Sequence, residues 1–117
     1  MNKTLAILTA AGLLLAAQTA LADGDPAAGK DKAQACAACH GANGISTSDQ
    51  FPILAGQYKD YLIQALHEYQ KGGKDSRNNP IMKGMAANLS EQDIQDIAAY
   101  FSSLPGPLNN IPQAERH

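Results

Sequence analysis

The whole cysteine content of the chain lies in one four-residue stretch, Cys36-Ala37-Ala38-Cys39, and a histidine, His40, follows at once. C-x-x-C-H is the attachment signature of a c-type haem. Two thiols one helical turn apart can each add across one vinyl group of the porphyrin. The next residue is then carried beneath the iron, where an imidazole nitrogen binds axially. Other readings of the pair are weaker. A Cys36–Cys39 disulfide would close a tiny loop and stabilise little. A thioredoxin-type redox pair wants a strand before it and a βαβ context, and no such pattern is found. A zinc site needs two more ligands, for which only His67 and His117 remain.

The size of the chain agrees with a fold built around such a group. At 117 residues and 12.3 kDa it is one domain. Residues 1–22 read as a cleaved secretory leader: Lys3 supplies the positive start, Leu5 to Ala17 the apolar run, and Ala20-Leu21-Ala22 the small-residue cleavage site. The run is too short and alanine-rich for a retained span, so no integral membrane segment is expected in the mature chain. Cleavage after Ala22 would leave 95 residues, Asp23 to His117, and would place them in the periplasm. With no Trp, two Phe and four Tyr, the side chains are a thin filling for a core, and something other than side chains is expected at the centre. Loss of Lys3 leaves eight Lys and Arg against eleven Asp and Glu, a net charge of −3. That balance speaks against nucleic acid as a partner, and no basic amphipathic helix suggests a membrane surface.

The hydrophobic pattern is helical throughout. Asp25-Pro26 is a helix start, and the Ala-, Lys- and Gln-rich stretch from Ala27 to Ala38 predicts a helix running into the cysteine motif. Residues 41–57 are turn-rich. Apolar residues at 58, 61, 62, 65, 66 and 69 predict an amphipathic helix closed by Gly72-Gly73. Residues 74–80 are polar and irregular, and a methionine-bearing loop is expected after them. Ser90 with Asp93 makes a capping-box start, and Ile94, Ile97, Ala98, Phe101 and Leu104 share one face of the helix that Pro105 ends. The expected fold class is all-α, three to five helices wrapped around one covalently bound haem. The domain spans 23–105, and 106–117 is a C-terminal extension, loose or docked.

Four side chains are candidates for the sixth iron position. His67 lies off the apolar stripe and should face solvent, and His117 ends the tail. Met82 and Met85 fall about forty residues after His40, in a segment that can fold over the opposite face of the ring. A thioether is a soft ligand that favours reduced iron. Either methionine could instead fill a gap in the core.

In this order of elements the sequence resembles the class I c-type cytochromes, close to the cytochrome c553 type and to a single domain of the dihaem cytochrome c4 proteins. The match is carried by Cys36-Ala37-Ala38-Cys39-His40-Gly41, by Phe51-Pro52-Ile53-Leu54-Ala55-Gly56-Gln57, by Asn79-Pro80-Ile81-Met82-Lys83-Gly84-Met85, and by Leu89-Ser90 and Asp93-Ile94 to Tyr100-Phe101. The resemblance implies covalent haem on Cys36 and Cys39, with His40 and Met82 as axial ligands; Met85 is the fallback. It implies that the Pro52 carbonyl accepts the proximal imidazole N–H. Gly29 would let the C-terminal helix approach near Tyr100, although the first helix lacks the family's aromatic partner. Gln57, Tyr58, Arg77 and Lys83 are candidates to hydrogen-bond propionates.

Ligation and size together point to a soluble single-electron carrier and not to an enzyme. Its partners would be a quinol-oxidising complex or a dehydrogenase on one side and a terminal oxidase or reductase on the other. One alternative is a haem subunit permanently bound to a periplasmic dehydrogenase, with 106–117 as its docking strand. Another is a small-ligand haem sensor or peroxidase with a labile methionine.

Overall fold

A computed structural model describes residues 23–74 and 76–110. The expected leader, its cleavage site at Ala22, and His117 lie outside the described residues. Five α-helices follow one another: α1 (Pro26–Lys32), α2 (Gln34–His40), α3 (Lys59–Lys71), α4 (Pro80–Ala86) and α5 (Glu91–Ser103), with a 3-10 turn at Pro107–Asn110. Among the described residues there is no strand, and no helix is long and apolar enough to cross a membrane.

The first helix begins as its sequence dictates. Asp25 accepts a hydrogen bond from Ala27 N at 2.8 Å, and Pro26 takes the first helical position, where a missing N–H costs nothing. The expected continuous helix is instead two, α1 and α2, divided at Ala33 (φ −82°, ψ 2°). The i to i−4 ladder still crosses the break, from Ala33 N to Gly29 O at 2.8 Å and from Ala37 N to Ala33 O at 3.0 Å. The two helices therefore join without a loop, and Cys36 packs against the core.

Helix α5 is the spine. Its capping box is complete: Asp93 N donates to Ser90 Oγ at 3.1 Å and Ser90 N donates to Asp93 Oδ2 at 2.9 Å. Ile94, Ile97, Ala98 and Phe101 are buried and Leu104 half-buried, the face that their spacing predicts. Phe101, Ile97 and Ala98 meet Ala33 and Leu62 in the core, and Cys36, Leu54, Leu66 and Tyr100 pack around that cluster.

The α1/α5 crossing depends on Gly29, as the resemblance implied. A Cβ there would run into the Asp96 backbone oxygen and would stand 2.8 Å from the Tyr100 Cβ. Asp96 staples the same crossing. It is 3% exposed and accepts from Asp25 N at 2.7 Å, Lys32 Nζ at 2.7 Å and Gln92 Nε2 at 2.8 Å. Burial works to raise the Asp96 carboxyl, but these donors outweigh it and hold the group below the usual carboxylate range. Lys32 is raised in turn, chiefly by its bond to Asp96.

The methionine-bearing segment is a helix, α4, and not the loop expected. The reason is a cap of the same kind as at Asp25-Pro26: Asn79 Oδ1 accepts from Ile81 N at 3.0 Å and Met82 N at 3.1 Å, with Pro80 in the first position. Tyr61 also departs from its expected stripe and is 45% exposed. Beyond α5 the extension folds back as far as it is described. A Cβ on Gly106 would stand 2.8 Å from the Ala55 Cβ and one on Gly56 would meet the Asn109 side chain, so 106–110 lies along Ala55 and Gly56.

Candidate haem site

Helix α2 carries the attachment motif on its last turn. Cys36 and Cys39 are three residues apart on a helix and so share a face. Both are half-buried, and no disulfide joins them. Burial against the core pushes the Cys36 thiol up, so it stays protonated at neutral pH. His40 closes the helix and is 5% exposed.

The imidazole is oriented by two contacts. Its Nδ1 lies 2.8 Å from the Pro52 carbonyl oxygen. A carbonyl can only accept, so Nδ1 carries the proton and the ring lone pair sits on Nε2, the nitrogen a metal would take. Phe51 packs edge-on to the ring, centroid to centroid 6.2 Å at 66°. The loop that delivers Phe51 and Pro52 is fastened by Gly44, whose carbonyl accepts from Leu54 N at 2.8 Å and Ala55 N at 3.0 Å. Gly44 has φ +71°, and a Cβ there would press on Ala55 and Phe101 at about 3.0 Å, so a side chain would be both strained and crowded. Tyr100 completes the frame by donating from its hydroxyl to the Ala42 carbonyl at 3.1 Å.

The candidates for the sixth position are sorted by place. Met82 is half-buried on α4, whereas Met85 is 41% exposed on the same helix. His67 is at the surface on α3, its Nε2 3.2 Å from Glu91 Oε2, with 44% of its side chain exposed. Of the residues considered for propionates, Arg77 is committed elsewhere. Its Nε donates to Glu68 Oε2 at 2.9 Å, its Nη2 donates to the Tyr61 hydroxyl at 2.9 Å, and its guanidinium lies over the Tyr61 and Tyr69 rings. Those partners, the Tyr61 hydroxyl first, raise the guanidinium further above its ordinary value. Gln57 accepts from Tyr58 N through its side-chain oxygen at 2.9 Å. Phe51, Gly44 and the Tyr100 hydroxyl were missed as positioning groups. The only signal for Phe51 was its place beside Pro52.

This donor set fits a covalent haem. Two thiols on one helical face precede a buried histidine whose tautomer leaves Nε2 free to coordinate, and a half-buried thioether stands on a separate helix.

The comparisons with known proteins agree. The family model for cytochrome c matches residues 26–105. Cytochrome c4 of Pseudomonas aeruginosa is 47% identical over 104 residues, which are 88% of this chain and 49% of that protein. Cytochrome c-554(548) of Halomonas halodenitrificans is 45% identical over 80 residues, 68% of this chain and 96% of that protein. Among solved structures, reduced recombinant cytochrome c4 from Pseudomonas stutzeri superposes with a TM-score of 0.67 at 44% identity, covering 71% of this chain and 47% of that one. The chain thus spans about half the length of the cytochrome c4 relatives it matches. Fold and site together define a class I c-type cytochrome. The chain belongs to the cytochrome c family, whose membership implies covalently bound haem c, and is similar to one domain of cytochrome c4.

Proposed function

We propose that this chain is a periplasmic monohaem cytochrome that passes single electrons between diffusing or docked redox proteins. In this reading Cys36 and Cys39 would hold the porphyrin through thioethers, and His40 and Met82 would supply the nitrogen and sulfur that bind its iron. The Pro52 carbonyl steadies the proximal ring. When bound, haem c supplies a one-electron iron couple. The chain's own part is to supply the ligands, to exclude water, and to keep the ligand geometry alike in both oxidation states.

The observation that carries the reading is the His40 Nδ1 to Pro52 carbonyl contact of 2.8 Å. It fixes one tautomer and one ring plane, and a bond to a carbonyl raises the basicity of the coordinating nitrogen. One haem per chain is favoured by the single C-x-x-C-H motif and by the near-complete coverage of cytochrome c-554(548). The leader-like residues 1–22, cleaved after Ala22, favour the periplasm. The partners would be a quinol-oxidising complex or a dehydrogenase as donor and a terminal oxidase or reductase as acceptor. The permanently bound subunit is less favoured, because the segment offered as its docking strand lies, through residue 110, along Ala55 and Gly56 of its own chain.

A redox titration of the matured protein, with haem counted per chain, tests this. One haem, one reversible one-electron wave and a reduced form indifferent to carbon monoxide are expected. A second haem, or ready carbon monoxide binding by the native reduced protein, would overturn the monohaem carrier and favour sensing or catalysis.

A further inference from the structure

Helix α4 is short, only seven residues, and by itself such a helix is marginal in water. Of its residues only Ala86 is buried, and Ile81 is 56% exposed. Few of its side chains therefore pack against the rest of the protein chain. Two polar side chains link it to α3: Gln70, on α3 itself, and Arg77, in the segment that leads into α4. At the far end, Gln70 Nε2 donates to Ala86 O at 2.9 Å and to Leu89 O at 2.8 Å, which ties α3 to the last residue of α4 and to the turn that follows it. At the near end, Arg77, three residues before Pro80, is gripped by Glu68, by the Tyr61 hydroxyl and by the faces of Tyr61 and Tyr69.

The exposure of Tyr61, anomalous for its helix stripe, is explained by this grip. The ring leaves the core to form one side of the cation's seat. An arginine is suited to the task because its planar fork donates to two acceptors while its face stacks. The two clamps fall on either side of Met82, with the Asn79 cap between them.

We propose that Arg77 and Gln70 are positioning residues for the sixth ligand: they tether α4 to α3 at both ends and so set how often Met82 leaves the iron. The proposal rests on Met82 being that ligand. Releasing either clamp should raise the population of an open α4 without unfolding the α1/α5 crossing. Exposed contacts of these kinds are individually weak, and loss of the several that Arg77 makes should shift the opening equilibrium about tenfold.

The test uses the haem-loaded full chain with Arg77→Ala, Arg77→Lys, Tyr61→Phe, Gln70→Ala and Met82→Ala. Two readouts are taken: the rate at which carbon monoxide binds the reduced protein, and amide hydrogen exchange in residues 79–86 against that in α5. For Arg77→Ala both the rate and the α4 exchange should rise about tenfold, with α5 unchanged. Arg77→Lys, Tyr61→Phe and Gln70→Ala should fall between it and the parent. If Arg77→Ala does not assemble, the milder three carry the test. Parental rates and exchange in the clamp variants, with the methionine–iron band lost only in Met82→Ala, would overturn the clamps and leave the ligand standing. A band that survives in Met82→Ala would remove the ligand reading and the proposal with it.

Discussion

His40 and Met82 stand on flanks of the candidate site that are held in different ways. His40 is 5% exposed, and the elements around it are tied to α5: Tyr100 bonds to Ala42 O, Gly56 N donates to Phe101 O at 3.0 Å, and Phe101 packs on Gly44. Met82 rides a helix with one buried residue, fastened by part-buried polar contacts. The contrast teaches that the histidine-bearing side is set by buried packing, which yields little. The thioether side is set by contacts worth little individually, which can be exchanged for water. Under the proposed function, the first flank would give a fixed geometry and the second a ligand whose hold is adjustable by single substitutions.

That contrast can be broken most severely at Gly29. Gly29→Ala puts a carbon into the Asp96 backbone oxygen and should cost about 3 kcal/mol, at the upper end for overpacking. Denaturant unfolding of the haem-loaded protein followed by circular dichroism measures it. Asp96→Ala comes next. It removes an acceptor for three donors and should cost about 2 kcal/mol near neutral pH, since Lys32 can turn partly to water.

The Asp96 carboxyl is depressed in the folded state, which fixes the sign of its pH dependence. The stability it contributes is complete above the unfolded-state carboxyl value near 4, and is lost as pH falls through the lower folded value. Unfolding curves of the parent and Asp96→Ala taken down a pH series should therefore converge in acid. Curves that stayed apart below pH 2 would show that the group acts other than as a carboxylate.

Smaller changes sharpen the other flank. Asn79→Ala removes the cap on α4 and should cost about 1 kcal/mol, with the loss seen as faster exchange in α4 ahead of α5. His67→Gln should move stability by less than about 0.5 kcal/mol at pH 7, because its contact with Glu91 is largely solvated, with side-chain exposures of 44% and 64%. A loss above 1 kcal/mol there would mean that the α3/α5 surface matters more than its exposure indicates.

Residue by residue, legibility in the sequence follows the range of the interaction. The α5 face from Ile94 to Phe101 and its Ser90/Asp93 box were readable because helix periodicity and capping act within a few residues. The α4 cap at Asn79-Pro80 was equally local and was passed over, although the same pair of signals was read at Asp25-Pro26. The break at Ala33 had no local signal, since Ala is the best helix former; Ala33 is itself buried in the core. Asp96 is buried because Asp25 and Lys32, more than sixty residues away, come to it. Tyr61 was assigned to the core by periodicity, yet Arg77 holds it outward. At the candidate site, the thiols and histidine were legible as a contiguous motif. Phe51, Gly44 and Tyr100 were not, because their roles exist only once the 41–57 loop has closed on α5.

The central claim is that His40 and Met82 share the iron. Absorption spectra of the oxidised matured protein, with Met82→Ala and Met85→Ala beside it, test it most directly. A low-spin spectrum whose methionine–iron charge-transfer band disappears in Met82→Ala and survives in Met85→Ala is the expected result. A band that persists in Met82→Ala and vanishes in Met85→Ala would contradict the account and move the ligand one turn along α4.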